Sequence, residues 1–316
     1  MSDKPQATQT IPADAAGIDA AAQVLRDGGL VAVPTETVYG LAARADSLDA
    51  VAAIYRAKGR PDFNPLIVHV ADLAQAETIA RLHEPAKKLA AAFWPGALTL
   101  VVPLRDDARI APAVTAGLPT IALRCPAHPA MRALLEQSGL ALAAPSANRS
   151  GAVSPTRAEH VAASLGGRIP LVLDGGACAA GIESTIVALR AGGGWQVLRP
   201  GPITPTAIAA VLGREADLAA SGGIEAPGQL ASHYAPGKPV RLGADAAEPD
   251  EFLIGFGPLA GDANLSPTGD LAEAAARLYE CLHLAAAAPQ PRIAVAAVPE
   301  TGIGAAINDR LGRAAV

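Results

Sequence analysis

The order of apolar and polar positions is most informative over residues 30–70. A short apolar run at 30–33 ends at Pro34 and predicts a buried strand. Thr35, Glu36, Thr37 and Tyr39 follow, with a turn expected at Gly40. Several polar side chains are thereby gathered at one sheet edge, where α/β sheets form ligand crevices. Leu48, Val51, Ile54 and Tyr55 have helical spacing, and this helix is expected to stop at Lys58-Gly59-Arg60-Pro61, because Gly and Pro both end helices. The run 65–70 predicts another strand with His69 near its end, so two cations fall on a bent loop between framework elements.

The same reading along the chain predicts helices over 18–25, 72–82, 85–93, 130–138, 156–165 and 208–212. Strands are expected at 98–103, 118–123, 140–144 and 171–173, with a hairpin of 185–189 and 195–198 about the glycines at 192–194. Residues 1–14 read as a loosely held lead-in. Residues 215–239 have the Ala/Gly/Ser/Pro composition of a linker. Beyond it, strands at 240–242, 252–256 and 293–298 alternate with helices at 271–288 and 303–313, the pattern of a small Rossmann-like layer. Gly255-Phe256-Gly257 is no dinucleotide fingerprint, since Pro258 follows and no helix opens there. The fold class is therefore α/β: a mixed sheet with helices over 14–212, a linker over 213–238 and a second α/β domain over 239–316.

Composition narrows the function classes. The net charge of −5 argues against a broad basic surface for nucleic acid. Lys58, Arg60, Arg124, Arg149 and Arg199 nonetheless each fall at a strand end or loop, so converging cations point to a small anionic ligand. Cys125, Cys178 and Cys281 are odd in number and scattered, which favours buried thiols over a disulfide framework or zinc site. No apolar run has membrane-spanning length, and the first ten residues lack the apolar core of a signal peptide, so a cytoplasmic protein is expected.

Each candidate group has two readings. Lys58 and Arg60 can face a polyphosphate, as a point charge and a two-pronged donor, or sit as a solvated helix end. Ser146 and Asn148 can offer a hydroxyl and an amide to phosphate or a magnesium-bound water, or form a local turn. Arg124 can grip a carboxylate or serve as an ion-pair partner; His69 can line a pocket or be a satisfied core histidine.

Taken in order, PTETVYGL (34–41), KGRP (58–61), NPLIVHV (64–70), PSAN (145–148), GIESTI (181–186), LRPG (198–201) and PGQLASHYAP (227–236) resemble the YrdC-like threonylcarbamoyl-AMP synthase family in its long two-domain form. The resemblance covers nearly the whole chain after the first dozen residues. It implies a YrdC-like twisted sheet around a cationic cavity, and an enzyme that condenses L-threonine, bicarbonate and ATP to threonylcarbamoyl-AMP and pyrophosphate. That intermediate serves the N6-threonylcarbamoyl modification of adenosine 37 in tRNA. By the same resemblance Lys58 and Arg60 are catalytic; Asn64, Thr120, Ser146, Asn148, Ser154, Arg199 and Tyr234 join them in contacting ATP with its magnesium. Thr37, His69, Arg124, Ala144 and Ser184 surround threonine, and Tyr234 lies on a linker that crosses the site. A downstream tRNA threonylcarbamoyl transferase complex is the implied recipient, without stable direct binding of nucleic acid. Three positions depart from the family pattern: Ala97 for a proline, Ala188 for an acidic residue and Ala226 for a serine. The competing readings are a YrdC-like RNA-binding module without synthase activity, disfavoured by the net acidity, and a carbamoyl-transfer domain of the hydrogenase-maturation type, whose cysteine motifs are missing.

Overall fold

A computed structural model describes residues 7–190, 192–217, 225–227 and 233–316. Its larger sheet has ten strands in the order β1-β8-β2-β3-β7-β4-β6-β5-β9-β10. These are β1 (Gln9–Pro12), β2 (Val31–Val33), β3 (Gly40–Arg44), β4 (Ile67–His69), β5 (Leu98–Pro103), β6 (Thr120–Arg124), β7 (Leu142–Ala143), β8 (Leu171–Asp174), β9 (Thr185–Leu189) and β10 (Trp195–Arg199). The sheet is mixed: β4 runs parallel to β6, β5 parallel to β9, and β3 antiparallel to both β2 and β7. The expected hairpin is present, with β9 and β10 antiparallel and Trp195 opposite Leu189.

Helices cover both faces. On one side, Leu41, Ile54, Leu89, Leu100 and Trp195 share a large core with helices α2 (Leu48–Lys58) and α4 (Glu84–Phe93). On the other, Ile18 and Leu25 of α1 (Ala15–Arg26) meet Met131 and Leu134 of α6 (Pro129–Ser138) over Val31 and Val33. The termini of α2 fix where the KGRP loop begins. Ser47 accepts a hydrogen bond from the Ala50 amide at the start, and Gly59 ends the helix at φ 61°, the left-handed conformation that favours glycine.

The second domain is a four-stranded, all-parallel sheet, β11-β14-β12-β13, with strands β11 (Val240–Ala244), β12 (Glu251–Gly255), β13 (Ala263–Asn264) and β14 (Arg292–Ala296). Helices α9 (Leu271–Ala287) and α10 (Gly304–Ala314) pack on it, as the alternating pattern predicts. Its core holds Tyr279, Leu282, Ile293 and Ile307, and also takes in Val38, Val153 and Ile182 from the first domain.

Three local expectations are corrected. The lead-in is not loose throughout: Gln9–Pro12 forms β1, paired in parallel with β8. Gly40 opens a strand, β3, where a turn was expected, because the bend is made by the preceding residues and Gly40–Arg44 runs back against β2. Finally, β13 and the short helix α5 (Pro112–Thr115) were not anticipated. The three cysteines are buried and free. Ala188 and Ala226, two of the departures from the family pattern, lie in one apolar cluster with Ile67, Val101, Ala122 and Ile186. No helix among the described residues is long and apolar enough to cross a membrane.

Candidate active site

Parallel pairing of β4 with β6 puts His69 level with Arg124. Beside them pass the 34–39 segment between β2 and β3 and the 144–148 segment after β7. Together with the start of β9 and the end of β10, these elements enclose a recess lined by Thr37, Arg60, His69, Arg124, Ala144 and Ser146. Glu183, Ser184, Arg199, Pro227, His233 and Tyr234 complete the wall.

Arg124 is the buried cation at the floor. Its Nε donates to the Gly96 carbonyl at 3.1 Å and its Nη1 to Thr37 Oγ1 at 2.8 Å. Nη2 lies 2.6 Å from Glu36 Oε1 as an ion pair. Burial raises the Glu36 carboxyl, but the charge and hydrogen bonding of Arg124 outweigh it, so the group stays below the ordinary carboxylate range. His69 is pushed down to about 3 by burial, reinforced by Arg124, and is therefore a neutral imidazole whose buried Nδ1 has no hydrogen-bond partner among the described residues. A guanidinium, a neutral histidine and the hydroxyls of Thr37 and Ser184 form a small polar pocket suited to a zwitterion with one further polar group. Ala144 contributes an apolar wall, fixed by its amide donating to the Ile67 carbonyl at 3.0 Å.

A second group of cations adjoins the first. Arg60 donates to the carbonyls of Asn64 (3.3 Å) and Pro65 (3.0 Å), and burial lowers it to about 10. Arg199 directs Nε and Nη2 to the Ser184 carbonyl at 3.1 and 3.0 Å, and burial again lowers its pKa. Arg199 has the Glu183 carboxylate near it, whereas Arg60 has no carboxylate ion pair among the described residues, and the cost of desolvating such a cation is one an anionic ligand would relieve.

The remaining candidates do not line the recess. Lys58 closes α2 and is buried; its ammonium donates to the Ser146 carbonyl at 2.5 Å and to the Asn148 carbonyl. Desolvation lowers its pKa well below the usual lysine value, and Arg60 adds to the shift. In this arrangement Lys58 braces the 146–148 loop. Asn148 donates from Nδ2 to the Arg149 and Ala152 carbonyls, and its buried Oδ1, like that of Asn64, has no partner among the described residues. Ser154 donates to Glu183 Oε1 at 2.6 Å. Thr120 begins β6, four positions before Arg124, and so lies at the other end of that strand from the recess.

The sequence places Glu36 among the polar side chains of one sheet edge without a role, and Glu183 only within the GIESTI motif; their partners lie far along the chain, so no local pattern marks them. The resemblance did point to Tyr234, and His233 precedes it in the same motif. Tyr234 is buried at φ 65°, with its ring 4.0 Å from that of His233 and 5.5 Å from that of Tyr279. Burial raises the Tyr234 hydroxyl, which has no hydrogen-bond partner among the described residues. Residues 228–232 of the PGQLASHYAP motif lie outside the described residues.

Comparison with known proteins places this site in a family. The Sua5/YciO/YrdC family model, described as "Telomere recombination", matches residues 23–201, and the model of the threonylcarbamoyl-AMP synthase C-terminal domain matches 203–316. The chain is 43% identical to the threonylcarbamoyl-AMP synthase of Bacillus subtilis over 93% of its own length and 92% of that protein. It is 44% identical to the Pyrococcus abyssi enzyme of the same name, over 68% of this chain and 64% of that one. It also superposes on a crystal structure of P. abyssi Sua5 complexed with L-threonine with a TM-score of 0.86 at 36% identity, covering 94% of each chain. The chain belongs to the Sua5/YciO/YrdC family and, within it, to the two-domain threonylcarbamoyl-AMP synthases.

Proposed function

We propose that the recess is the active site of a synthase that joins L-threonine, bicarbonate and ATP into threonylcarbamoyl-AMP with release of pyrophosphate. The observation that carries the reading is the placement of Arg124, neutral His69, Thr37 and Ser184 in one pocket, beside Arg60 and Arg199. Arg124 takes the threonine carboxylate, exchanging its Glu36 contact for the substrate. Thr37, His69 and Ser184 surround the amino acid's remaining polar groups. Bicarbonate loses hydroxide to give carbon dioxide, which the threonine amine takes up with loss of a proton to give a carbamate, the hydroxide and proton leaving as water. The carbamate oxygen attacks the α-phosphorus of ATP and expels pyrophosphate. Such a transfer needs alignment and charge neutralisation more than a dedicated base. Arg60 and Arg199 supply that neutralisation from the recess wall, while Lys58 holds the Ser146 and Asn148 loop against the nucleotide.

Magnesium carried by the triphosphate of ATP would supply further charge neutralisation at the site. The buried Oδ1 atoms of Asn64 and Asn148, which have no hydrogen-bond partner among the described residues, would hold it through water; on this reading these two residues act on the nucleotide together with Ser146 and Ser154. Thr120, at the far end of β6, would reach the nucleotide only at its outer edge. Pro227, His233 and Tyr234 close over the recess and keep water from the labile mixed anhydride. On this reading residues 14–212 are the catalytic domain, 213–238 the connection across the site and 239–316 a supporting domain. The product passes to a tRNA threonylcarbamoyl transferase in the cytoplasm. The test is pyrophosphate release with ATP, magnesium, bicarbonate and single amino acids. Threonine-dependent release is expected, and release that ignores the amino acid would overturn the reading.

A further inference from the structure

The segment 181–184 has two sides. One presents Ser184 to the recess, where its hydroxyl meets Thr99 Oγ1 at 2.7 Å and receives Arg199 Nη2 at 3.2 Å. The other is embedded in the second domain, and each residue is held there differently. Gly181, at φ 69°, lies so close to α9 that a Cβ would sit 2.4 Å from Ala276 Cα and 2.6 Å from the Ala275 carbonyl. Ile182 is fully buried in the core of the second domain. Glu183 accepts from Tyr279 Oη at 2.8 Å and from Arg310 Nε at 3.2 Å, both from that domain, and from Ser154 Oγ at 2.6 Å within the first. Arg310 is itself fully buried, donating also to the Pro200 carbonyl at 2.6 Å and pairing with Asp309. His283 of α9 places Nε2 3.1 Å from the Ser154 carbonyl, and its ring stacks on His160 at 3.8 Å.

We infer that Glu183 is a positioning residue for the amino-acid pocket, and that Arg310 and Tyr279 act from the second domain to hold it, so that this domain completes the pocket wall carrying Ser184. The physical basis is the behaviour of buried ion pairs. A carboxylate with three well-directed donors keeps one geometry; removing its cation strands a charge in the interior, whereas removing both charges together is tolerated far better. Burial raises the Glu183 carboxyl, but Arg310 and Arg199 hold it down at about 2, which keeps it ionised and clamped.

The inference rests on the synthase reading only for which substrate Ser184 meets, so it is tested by a readout that does not need turnover as well as by one that does. Amide hydrogen exchange of the 181–186 segment and the kinetics of threonine-dependent pyrophosphate release are measured for the full-length parent, Arg310→Met, and Arg310→Met with Glu183→Gln. In Arg310→Met, exchange in 181–186 is expected to rise, and the threonine KM to increase, each on the order of tenfold or more, with kcat changed by less than about threefold. The double variant has no stranded carboxylate but lacks the clamp as well, so it is expected to regain stability while exchange in 181–186 and the threonine KM stay raised. Unchanged exchange in Arg310→Met overturns the inference, as does a loss confined to kcat. Recovery of both readouts in the double variant also overturns it, because the single variant's damage would then come from the stranded charge and not from the lost clamp, and failure of both variants to fold overturns it because the contacts would then serve only general packing. If the parent releases no pyrophosphate with threonine, the functional reading fails while the exchange measurement still decides the role of Arg310.

Discussion

Arg124 shows how much a single side chain commits here. It is almost wholly buried, and its polar contacts are with Gly96, Thr37 and Glu36. The Glu36 contact is the replaceable one, since its carboxylate occupies the kind of position a threonine carboxylate would take. Arg124→Lys keeps the charge but loses the planar two-pronged donor, so the threonine KM should rise on the order of tenfold or more, with little change in the ATP KM. Titrating each substrate separately checks this, and equal rises for both would show that Arg124 is not the amino-acid anchor. Histidines set a second property at this scale. His69 is held at about 3, and His160 and His233 at about 4, in each case chiefly by burial. Below the ordinary histidine value of 6.5 the unfolded chain therefore binds protons that the folded chain does not, and stability must fall as pH drops from 6.5 toward 4. Glu183, lowered from 4.5 to about 2, contributes fully above 4.5 and loses its contribution only on further acidification, so it cannot cause the earlier decline. Thermal melts from about pH 7.5 to 4.5 should show a falling Tm from about 6.5 downward, less steep in His69→Gln. A flat profile to about pH 4.5 would contradict these buried neutral imidazoles.

At the scale of elements, glycines separate a turn that only needs a backbone conformation from a contact that also needs space. Gly59 has positive φ and nothing within 4 Å of where a Cβ would lie, whereas Gly181 has positive φ and α9 backbone within 2.4 Å. Gly59→Ala should cost about 1 kcal/mol from conformation alone. Gly181→Ala adds displacement of α9 and should cost on the order of 2–4 kcal/mol, together with weaker threonine binding. Urea denaturation of both variants checks the ranking, and equal costs would mean the α9 contact is soft. The same distinction explains what the sequence made legible. Capping, helix stops and apolar runs are local, so α2, β5 and the β9–β10 hairpin follow from them almost residue for residue. The edge strand β1 carries only QTIP and owes its form to pairing with β8, far along the chain, which no local pattern announces. The cations and hydroxyls of the recess were legible as motif ends. The partners of Glu183 were not, because Arg310 stands 127 residues away and looks, in its own helix, like any surface arginine.

For the whole molecule, the two domains share buried material and do not merely adjoin. Val38, Val153 and Ile182 enter the core of the second domain; Pro227, His233 and Tyr234 line the recess of the first. Ala226 caps the cluster of Ile67, Ala122, Ile186 and Ala188 on the sheet. Cutting the chain after Leu212 therefore removes more than a tether. It uncovers three apolar side chains, takes two of the three side-chain donors from Glu183, and opens the recess where His233 and Tyr234 stood. The large core about Leu41, Leu100 and Trp195 lies within residues 1–212, so the shortened chain should still fold and bind ATP weakly. It should unfold at lower temperature than the intact protein, bind apolar dyes, and accumulate much less threonylcarbamoyl-AMP per pyrophosphate released, because water reaches the mixed anhydride. Tyr234→Ala in the full chain opens the recess without stranding Glu183, so it should lower retention of the intermediate while leaving the 181–186 segment ordered. Chromatographic measurement of threonylcarbamoyl-AMP against AMP separates the two effects: a truncated chain that forms and keeps the intermediate as well as the intact protein would show that the second domain and its connection contribute nothing to the chemistry.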